Sequence, residues 1–218
     1  MIRNIDLSDV SDGKLYKAND MAKCDTLDCK GCSSCCRGMG DTILLDPYDA
    51  FTLTKHLKCS FSELLSGPVG LTVAEGIILP YLLMSPATNA CSFLNESGRC
   101  QIHGFRPGFC RLFPLGRIYE DHKFSYFLQI KECPGIKTKC KIRKWIGVEP
   151  FGKYETFILD WHYYLKDLTD AITPDTDEDT LKALGMAILK RFYLHPYDAE
   201  GDFFEQFYAI FNKVKGNA

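Results

Sequence analysis

The last third of the chain carries apolar residues at the three- and four-residue spacing of amphipathic helices. Three such stripes are present, and Thr173-Pro174 and His195-Pro196 separate them. The stripes are Trp161, Tyr164, Leu165 and Leu168, then Leu181, Leu184, Ile188 and Phe192, then Phe203, Phe207, Ile210 and Val214. Because a helix has 3.6 residues per turn, each stripe lies on one face and predicts a helix packed on a core. Asp202 is placed to cap the third helix.

The first half of the chain predicts shorter elements. Residues 42–45 read Thr-Ile-Leu-Leu, which is typical of a short buried strand. Asp46-Pro47 then predicts a helix start, because aspartate caps the first turn and proline fits the first helical position. Ser60 and Glu63 have the spacing of a capping box and predict a second short helix.

Strand-like stretches occur on both sides of this helical part. Residues 76–84 predict a strand that Pro80 either bends or confines to an edge. Residues 117–119 and 124–128 flank a polar turn and predict a β-hairpin. The N-terminal apolar residues predict either an edge strand or a segment lying over the core; they are Ile2, Ile5, Leu7 and Val10.

These elements indicate an α+β fold with a loop-rich cysteine-cluster core, short strands and a helical C-terminal part. With 218 residues, the chain suits one domain or a domain with an appendage. We expect a metal-binding domain over residues 1–140, with the helices of residues 141–218 packed on it. Hydrophobic residues make up 46% of the chain, which is enough for a core.

The formal net charge of −2 gives no electrostatic reason to expect nucleic acid or an anionic membrane surface as a partner. The N-terminus has no apolar stretch typical of a signal peptide, and residues 77–84 are far short of a membrane span. We therefore expect a cytoplasmic protein. In that reducing compartment, eleven cysteines indicate metal binding or catalysis rather than disulfides. The sequence identifies no protein partner or substrate.

The densest chemistry lies in the stretch Cys29-Lys-Gly-Cys32-Ser-Ser-Cys35-Cys36. Packing alone does not require four thiols within eight residues. Two intervening residues let one turn present two sulfurs to the same centre, which suits a soft metal ion or an iron–sulfur cluster. Glycine and serine between the thiols permit a tight turn.

Four more cysteines extend the set, namely Cys91, Cys100, Cys110 and Cys133. Eight thiols could form two four-thiolate sites. Alternatively, Cys29, Cys32 and Cys35 reproduce the first three ligands of the bacterial ferredoxin run, and the remote Cys133-Pro134 supplies the fourth ligand of a [4Fe–4S] cluster. Both arrangements stay open at this point.

The remaining candidates are weaker. Cys59 is expected in the core, Cys24 either as a further ligand or as a free surface thiol, and Cys140 as an idle thiol in a basic surface loop. His103 is the one histidine inside the second cysteine region and so the one imidazole candidate. Arg106 and Arg111 flank Cys110, where they could neutralise or hydrogen-bond thiolates.

The combined pattern resembles the CxxCxxCC family, also called YkgJ-type cysteine cluster proteins, a zinc- or iron-chelating domain. The resemblance covers roughly residues 24–140. It is carried by the first cysteine stretch, Cys91-x-Phe-Leu, Gly-Arg-Cys100, Arg106-Pro107-x-x-Cys110-Arg111 and Phe113-Pro114. It implies the ligand set Cys29, Cys32, Cys35, Cys36, Cys91, Cys100, Cys110 and Cys133. The tyrosine usual after the Cys-x-Ile step is His103 here.

We therefore expect a metal-binding protein that holds an iron–sulfur cluster, [4Fe–4S] first, with a redox or cluster-dependent role. Structural zinc is the alternative cofactor. A third possibility is methyl transfer from S-adenosylmethionine to protein lysines, since flagellin lysine-N-methylases are similar in carrying a related cysteine cluster. Whether the protein is an enzyme stays open, because no Ser/His/Asp, paired-carboxylate or phosphate-loop arrangement stands out.

Overall fold

A computed structural model describes residues 7–26, 32–134 and 137–216. Cys29 therefore lies outside the described residues, as do Ile2 and Ile5 of the N-terminal strand prediction. Among the described residues, no helix combines the length and the apolar character needed to cross a bilayer. The fold is α+β, as predicted, with short antiparallel strand pairs followed by a helical C-terminal part.

Eight helices are described: α1 Leu7–Val10, α2 Pro47–Leu57, α3 Phe61–Leu65, α4 Gly108–Leu112, α5 Ile142–Ile146, α6 Phe151–Asp170, α7 Glu178–Phe192 and α8 Phe203–Lys215. The seven described strands are β1 Ser11–Tyr16, β2 Met21–Asp25, β3 Val69–Ala74, β4 Ile77–Leu82, β5 Leu115–Glu120, β6 Lys123–Gln129 and β7 Thr138–Lys141. Short 3-10 turns occur at Ser34–Cys36 and His103–Phe105.

The strands form three small antiparallel sheets. One has the order β1-β6-β5, and the other two are the pairs β2-β7 and β3-β4. In the first, Leu115 pairs with Leu128, and both side chains are buried. In the pair β2-β7, Met21 lies opposite Lys141. This last pair joins the chain just before the first cysteine stretch to the chain just after Cys133.

The C-terminal helices pack on α2 through an aromatic core. The ring of Tyr48 stacks on that of Phe204 with centroids 5.7 Å apart, and Phe157 meets Phe207 edge to face at 4.8 Å. The Tyr193 hydroxyl donates to the Leu45 carbonyl over 2.8 Å. One continuous buried cluster includes residues from both halves of the chain. The domain boundary at residue 140 stays a prediction.

Local sequence signals located most of these helices correctly. Asp46 and Ser60 cap α2 and α3 in reciprocal capping boxes, and Asp202 accepts from the first turn of α8. The predicted hairpin is β5-β6, and the strand around Pro80 is β4. The N-terminal strand prediction is wrong for Leu7 and Val10, which lie in α1. Residues 42–45 form no full strand, although Leu44 makes a β-bridge to Tyr81.

Candidate metal centre

The described part of the first cysteine stretch folds into a tight turn. Ser33 adopts a left-handed conformation with φ 51°, and a 3-10 turn follows at Ser34–Cys36. The Cys36 amide donates to the Ser33 carbonyl over 2.9 Å. This curvature needs small residues between the thiols, as the serines here provide, and it places Cys35 and Cys36 on the inside of one wall of a cavity.

Backbone hydrogen bonds connect this turn to the second cysteine region. The Cys91 amide donates to the Cys36 carbonyl over 2.8 Å, and the Gly38 amide donates to the Asn89 carbonyl over 2.8 Å. Cys36 and Cys91 are thus neighbours although they are far apart in sequence. Main-chain hydrogen bonds thus hold the two cysteine regions side by side.

Cys91 and Cys100 lie on the two arms of a short turn. Leu94 forms an antiparallel bridge with Cys100, and the Asn95 amide donates to the Arg99 carbonyl over 2.9 Å. The Asn95 side chain also accepts from the Arg99 amide over 2.8 Å. Gly98 has φ 69°, a conformation that glycine adopts without strain. The turn thus holds Cys91 and Cys100 on neighbouring arms.

Cys110 is carried by the short helix α4, whose start is held by α2. The backbone N–H of Gly108 donates to Asp49 Oδ1 over 2.7 Å. Asp49 is only 3% exposed, and it also accepts from the Asp46 amide within the capping box. A Cβ on residue 108 would lie 3.1 Å from the Tyr154 hydroxyl, so the helix approaches its neighbours closely through a glycine.

All seven described cysteines of the predicted ligand set line one cavity of about 400 Å³. They are Cys32, Cys35, Cys36, Cys91, Cys100, Cys110 and Cys133. We call this space the cysteine cavity. Its deepest walls include the apolar side chains of Ile43, Leu82 and Ile102, each 1% exposed, while Cys32 is exposed at the surface.

The electrostatics of the cavity disfavour free thiolates. Burial and the negative charges of neighbouring thiolates raise the pKa of Cys110 well above its ordinary value, and burial also raises that of Cys91. Cys35 and Cys36 act as a pair. A hydrogen bond from Cys36 lowers the pKa of Cys35 to about 7, and the same contact raises that of Cys36. A bound cation would offset these costs, because metal ligation stabilises the thiolate form.

The sulfurs line the walls but do not yet meet at one point. Within residues 7–26, 32–134 and 137–216, no three Cys, His, Asp or Glu side chains are grouped as a metal ion requires. The donor type fits a soft metal, since thiolates suit zinc and iron–sulfur clusters. That all eight cysteines are ligands stays a prediction.

The weaker candidates fall in different places. His103 and Arg106 line the cavity, and an Arg106 Nη lies 2.6 Å from His103 Nε2. The Arg106 guanidinium also lies over the Trp145 ring and lowers the pKa of Cys35. Arg111 instead donates to the carbonyls of Ile146 and Arg106, at 3.2 and 3.1 Å. Arg106 therefore stabilises a thiolate, as predicted for both arginines. Arg111 instead stabilises the backbone through its two hydrogen bonds to carbonyl groups.

Three of the ten described cysteines lie away from the cavity. Cys59 packs partly against the core, as expected. The interpretation of Cys24 as a surface thiol is wrong, because its side chain is 0% exposed in β2. The interpretation of Cys140 as an idle loop thiol is also wrong, because Cys140 lies in β7 with its sulfur 3.3 Å from that of Cys24.

Sequence reasoning missed two residues of the site. Asp49 was not singled out, although its position three residues after Asp46 is the spacing of a capping box. Trp145 lines the cavity under Arg106 from α5, a helix too short to show periodicity. No local signal could have placed either residue beside the cysteines, because both come from distant parts of the chain.

A family model described as "CxxCxxCC: Putative zinc- or iron-chelating domain" matches residues 28–142, a segment that holds all eight predicted ligands. No curated protein and no solved structure matches the chain.

Proposed function

We propose, from the premise that the chain belongs to the CxxCxxCC family of zinc- or iron-chelating domains, that this metal-binding protein holds an iron–sulfur cluster of the [4Fe–4S] type. The observation that carries the proposal is the convergence of seven described cysteines on one cavity of about 400 Å³. The cluster would supply one-electron redox chemistry. The residues of the chain would hold it, shield it and set its electrostatic surroundings.

The size of the cavity favours a centre of several atoms over a single ion. A structural zinc ion is closed tightly by four ligands, which leaves little space around it. The cavity is about thirteen times larger than the roughly 30 Å³ that one water molecule occupies in the liquid. A single four-cysteine zinc site would leave most of this volume unused.

We place the cluster at the inner end of the cavity. There the thiol groups of Cys36, Cys91, Cys100 and Cys110 influence one another, and Cys35 lies beside them. Coulombic interactions among these residues contribute to the raised pKa values of Cys36, Cys91 and Cys110. Such interactions require short separations in a poorly solvated space. Four thiolates are the usual complement of a [4Fe–4S] cluster. The ferredoxin-like alternative would instead use Cys133 and the exposed Cys32, together with Cys29 and Cys35.

The charge of Arg106 supports a redox role. Its guanidinium lies over Trp145 at the cavity wall and favours negative charge on Cys35. A thiolate-ligated cluster is anionic, and positive groups around it tune its reduction potential. Cys32 lines the cavity and is exposed, so a redox partner could approach the cluster closely at this position.

The test is the metal and sulfide content of protein purified without oxygen. Iron and acid-labile sulfide in equal amounts, with visible absorbance that bleaches with dithionite, are the expected result. A colourless protein with stoichiometric zinc would contradict the proposal and leave a structural zinc protein.

Matched serine variants locate the centre. Cys91→Ser should lose iron and sulfide, whereas Cys59→Ser should keep both, because Cys59 lies outside the cysteine cavity. Cys133→Ser discriminates the two cluster positions. It should keep the cluster if the inner thiols are the ligands and lose it if the ferredoxin-like triplet and Cys133 are.

A further inference from the structure

A second pair of thiols lies outside the cysteine cavity, in the two-stranded sheet. Cys24 belongs to β2 and Cys140 to β7, and these strands pair antiparallel. The register shifts between Ala22 and Asp25, which is where Cys24 turns toward Cys140. Their sulfur atoms are 3.3 Å apart, although the residues are separated by 116 positions.

The surroundings of this pair are distinct for each thiol. Cys24 is 0% exposed and its sulfur also lies 3.7 Å from the Ala22 carbonyl oxygen. Cys140 is partly exposed; burial raises its pKa, and the hydrogen bond from Cys24 and the positive charge of Lys144 partly offset that rise. The sulfur of Cys140 is therefore accessible to a reagent from solvent. The sulfur of Cys24 is buried and in contact with it.

We propose that Cys24 and Cys140 form a dithiol–disulfide couple, a redox modification site that links β2 covalently to β7. The inference goes beyond the proposed function and holds whichever metal the cavity binds. It rests on the contact between the two sulfurs and on their placement in paired strands, which keeps them together in the folded chain.

The location of the couple gives the bond a structural consequence. All eight predicted metal ligands lie in sequence between Cys24 and Cys140. A disulfide here closes one large loop that contains the whole cysteine cluster. Cross-links that close long loops restrict the unfolded chain most, so the oxidised protein should resist unfolding better than the reduced protein.

The oxidant is a low-molecular-weight disulfide such as oxidised glutathione. The Cys140 thiolate attacks one sulfur of this disulfide and releases one glutathione thiolate, which takes up the proton that Cys140 lost. The Cys24 thiolate then attacks the Cys140 sulfur in the mixed disulfide and releases the second glutathione, which takes up the Cys24 proton. Two protein thiols are oxidised, and one glutathione disulfide is reduced to two thiols.

Burial of the two thiols slows this exchange. It raises the pKa of both thiols, most strongly that of the fully buried Cys24. Thiolate attack is the reactive step, so formation of the disulfide should be slow at neutral pH and faster in mild alkali. The ratio of disulfide to dithiol at this site should therefore adjust slowly to the redox potential of the surroundings.

The experiment equilibrates the full-length, metal-loaded protein in a series of glutathione redox buffers without oxygen. The redox state is then trapped with acid, the protein is unfolded so that buried thiols become accessible, the free thiols are alkylated, and the peptides are mapped by mass spectrometry. Cys24 and Cys140 should become protected together, at one buffer midpoint, and a cross-linked peptide containing both should appear. The oxidised protein should melt several degrees higher than the reduced protein.

Two variants complete the test. In Cys140→Ser, the cross-link and the rise in melting temperature should both disappear, while in Cys59→Ser both should persist. If Cys24 is fully alkylated after unfolding at every redox buffer of the series, or if Cys24 pairs with a cysteine of the cavity instead, the proposal is wrong. Because the peptide readout does not depend on metal content, failure of the iron–sulfur proposal would leave this result interpretable.

Discussion

Asp49 Oδ1 accepts a hydrogen bond from the backbone N–H of Gly108 over 2.7 Å, which ties the first turn of α2 to the first turn of α4. Cys110 lies two residues beyond that contact and lines the cysteine cavity. A carboxylate that is 3% exposed thus serves two helices at once, since it also closes the capping box of α2. The position of one thiol depends on a buried acid outside the cysteine stretches.

Replacing Asp49 with alanine should therefore weaken both the fold and the metal centre. The change leaves the buried amide of Gly108 without an acceptor, which costs about 1–3 kcal/mol in the free energy of unfolding. Denaturant titration should measure this loss, and metal analysis should show a reduced content, because α4 is no longer fixed.

The matched control is Ser60→Ala, which breaks the capping box of α3 at an exposed position. It should cost roughly 1 kcal/mol but leave the metal content unchanged. If Asp49→Ala bound a full complement of metal, the contact with Gly108 would have no positioning role.

The buried acids also predict how stability depends on pH. Burial raises the pKa of Asp46 to about 6 and that of Asp49 well above its ordinary value. Between the unfolded-state pKa of about 3.9 and these folded-state values, the folded protein binds more protons than the unfolded chain. The stabilisation is therefore complete at low pH and is lost as the pH rises through the folded-state pKa.

The comparison of wild type with Asp46→Asn isolates this effect. The asparagine oxygen can still accept from the Asp49 amide, but the side chain no longer titrates. From about pH 4 to pH 7, the wild type should lose on the order of 1–3 kcal/mol relative to the variant. Denaturant titrations at several pH values measure the difference, and parallel curves for the two proteins would contradict the prediction.

Local sequence signals account for much of the fold because caps and periodicity act over one or two turns. Asp46, Ser60 and Asp202 cap helices where their spacing indicated. The strands β2 and β7 escaped prediction, because they are short and β7 is mostly exposed, so no alternating pattern forms. Their pairing is decided by contacts between distant parts of the chain.

The candidate metal centre likewise combines features that local spacing predicts with contacts between distant parts of the chain. Cysteine spacing identified the thiols that line the cavity, because a tight turn presents neighbouring thiols in one direction. It could not show that Asp49 would reach Gly108 across 59 residues, or that Cys24 would meet Cys140 across 116. Such contacts follow from packing of the complete fold. The ligand role of each thiol stays a prediction until metal content is measured.

Removing the metal should loosen the cysteine regions more than the helical part. Two main-chain hydrogen bonds, from Cys91 to Cys36 and from Gly38 to Asn89, link the two regions directly. A bound centre would add further bonds between thiols of the two regions. After chelation, hydrogen exchange at the amides of Gly38 and Cys91 should accelerate strongly.

Amides in the middle of α8 provide the internal reference for that measurement. Phe207 is 0% exposed and packs on Phe157 within the aromatic core, away from the cavity. Its amide should keep nearly the same protection with and without metal. An equal loss of protection in α8 and at Cys91 would mean that the centre supports the entire fold.

The aromatic core should in turn be important for stability but not for metal binding. Phe157 is 0% exposed, and its ring contacts those of Phe207 at 4.8 Å and Phe203 at 5.3 Å. Phe157→Ala removes these contacts and leaves a void, so the free energy of unfolding should fall by about 3–5 kcal/mol. Val73→Ala is the control, since Val73 is 67% exposed and should change stability by less than about 0.5 kcal/mol.

Phe157 does not line the cysteine cavity, and the folded fraction of the Phe157→Ala variant should therefore carry the metal content of the wild type. Loss of metal from protein that remains folded would show instead that the packing of α6 holds the cavity walls in place.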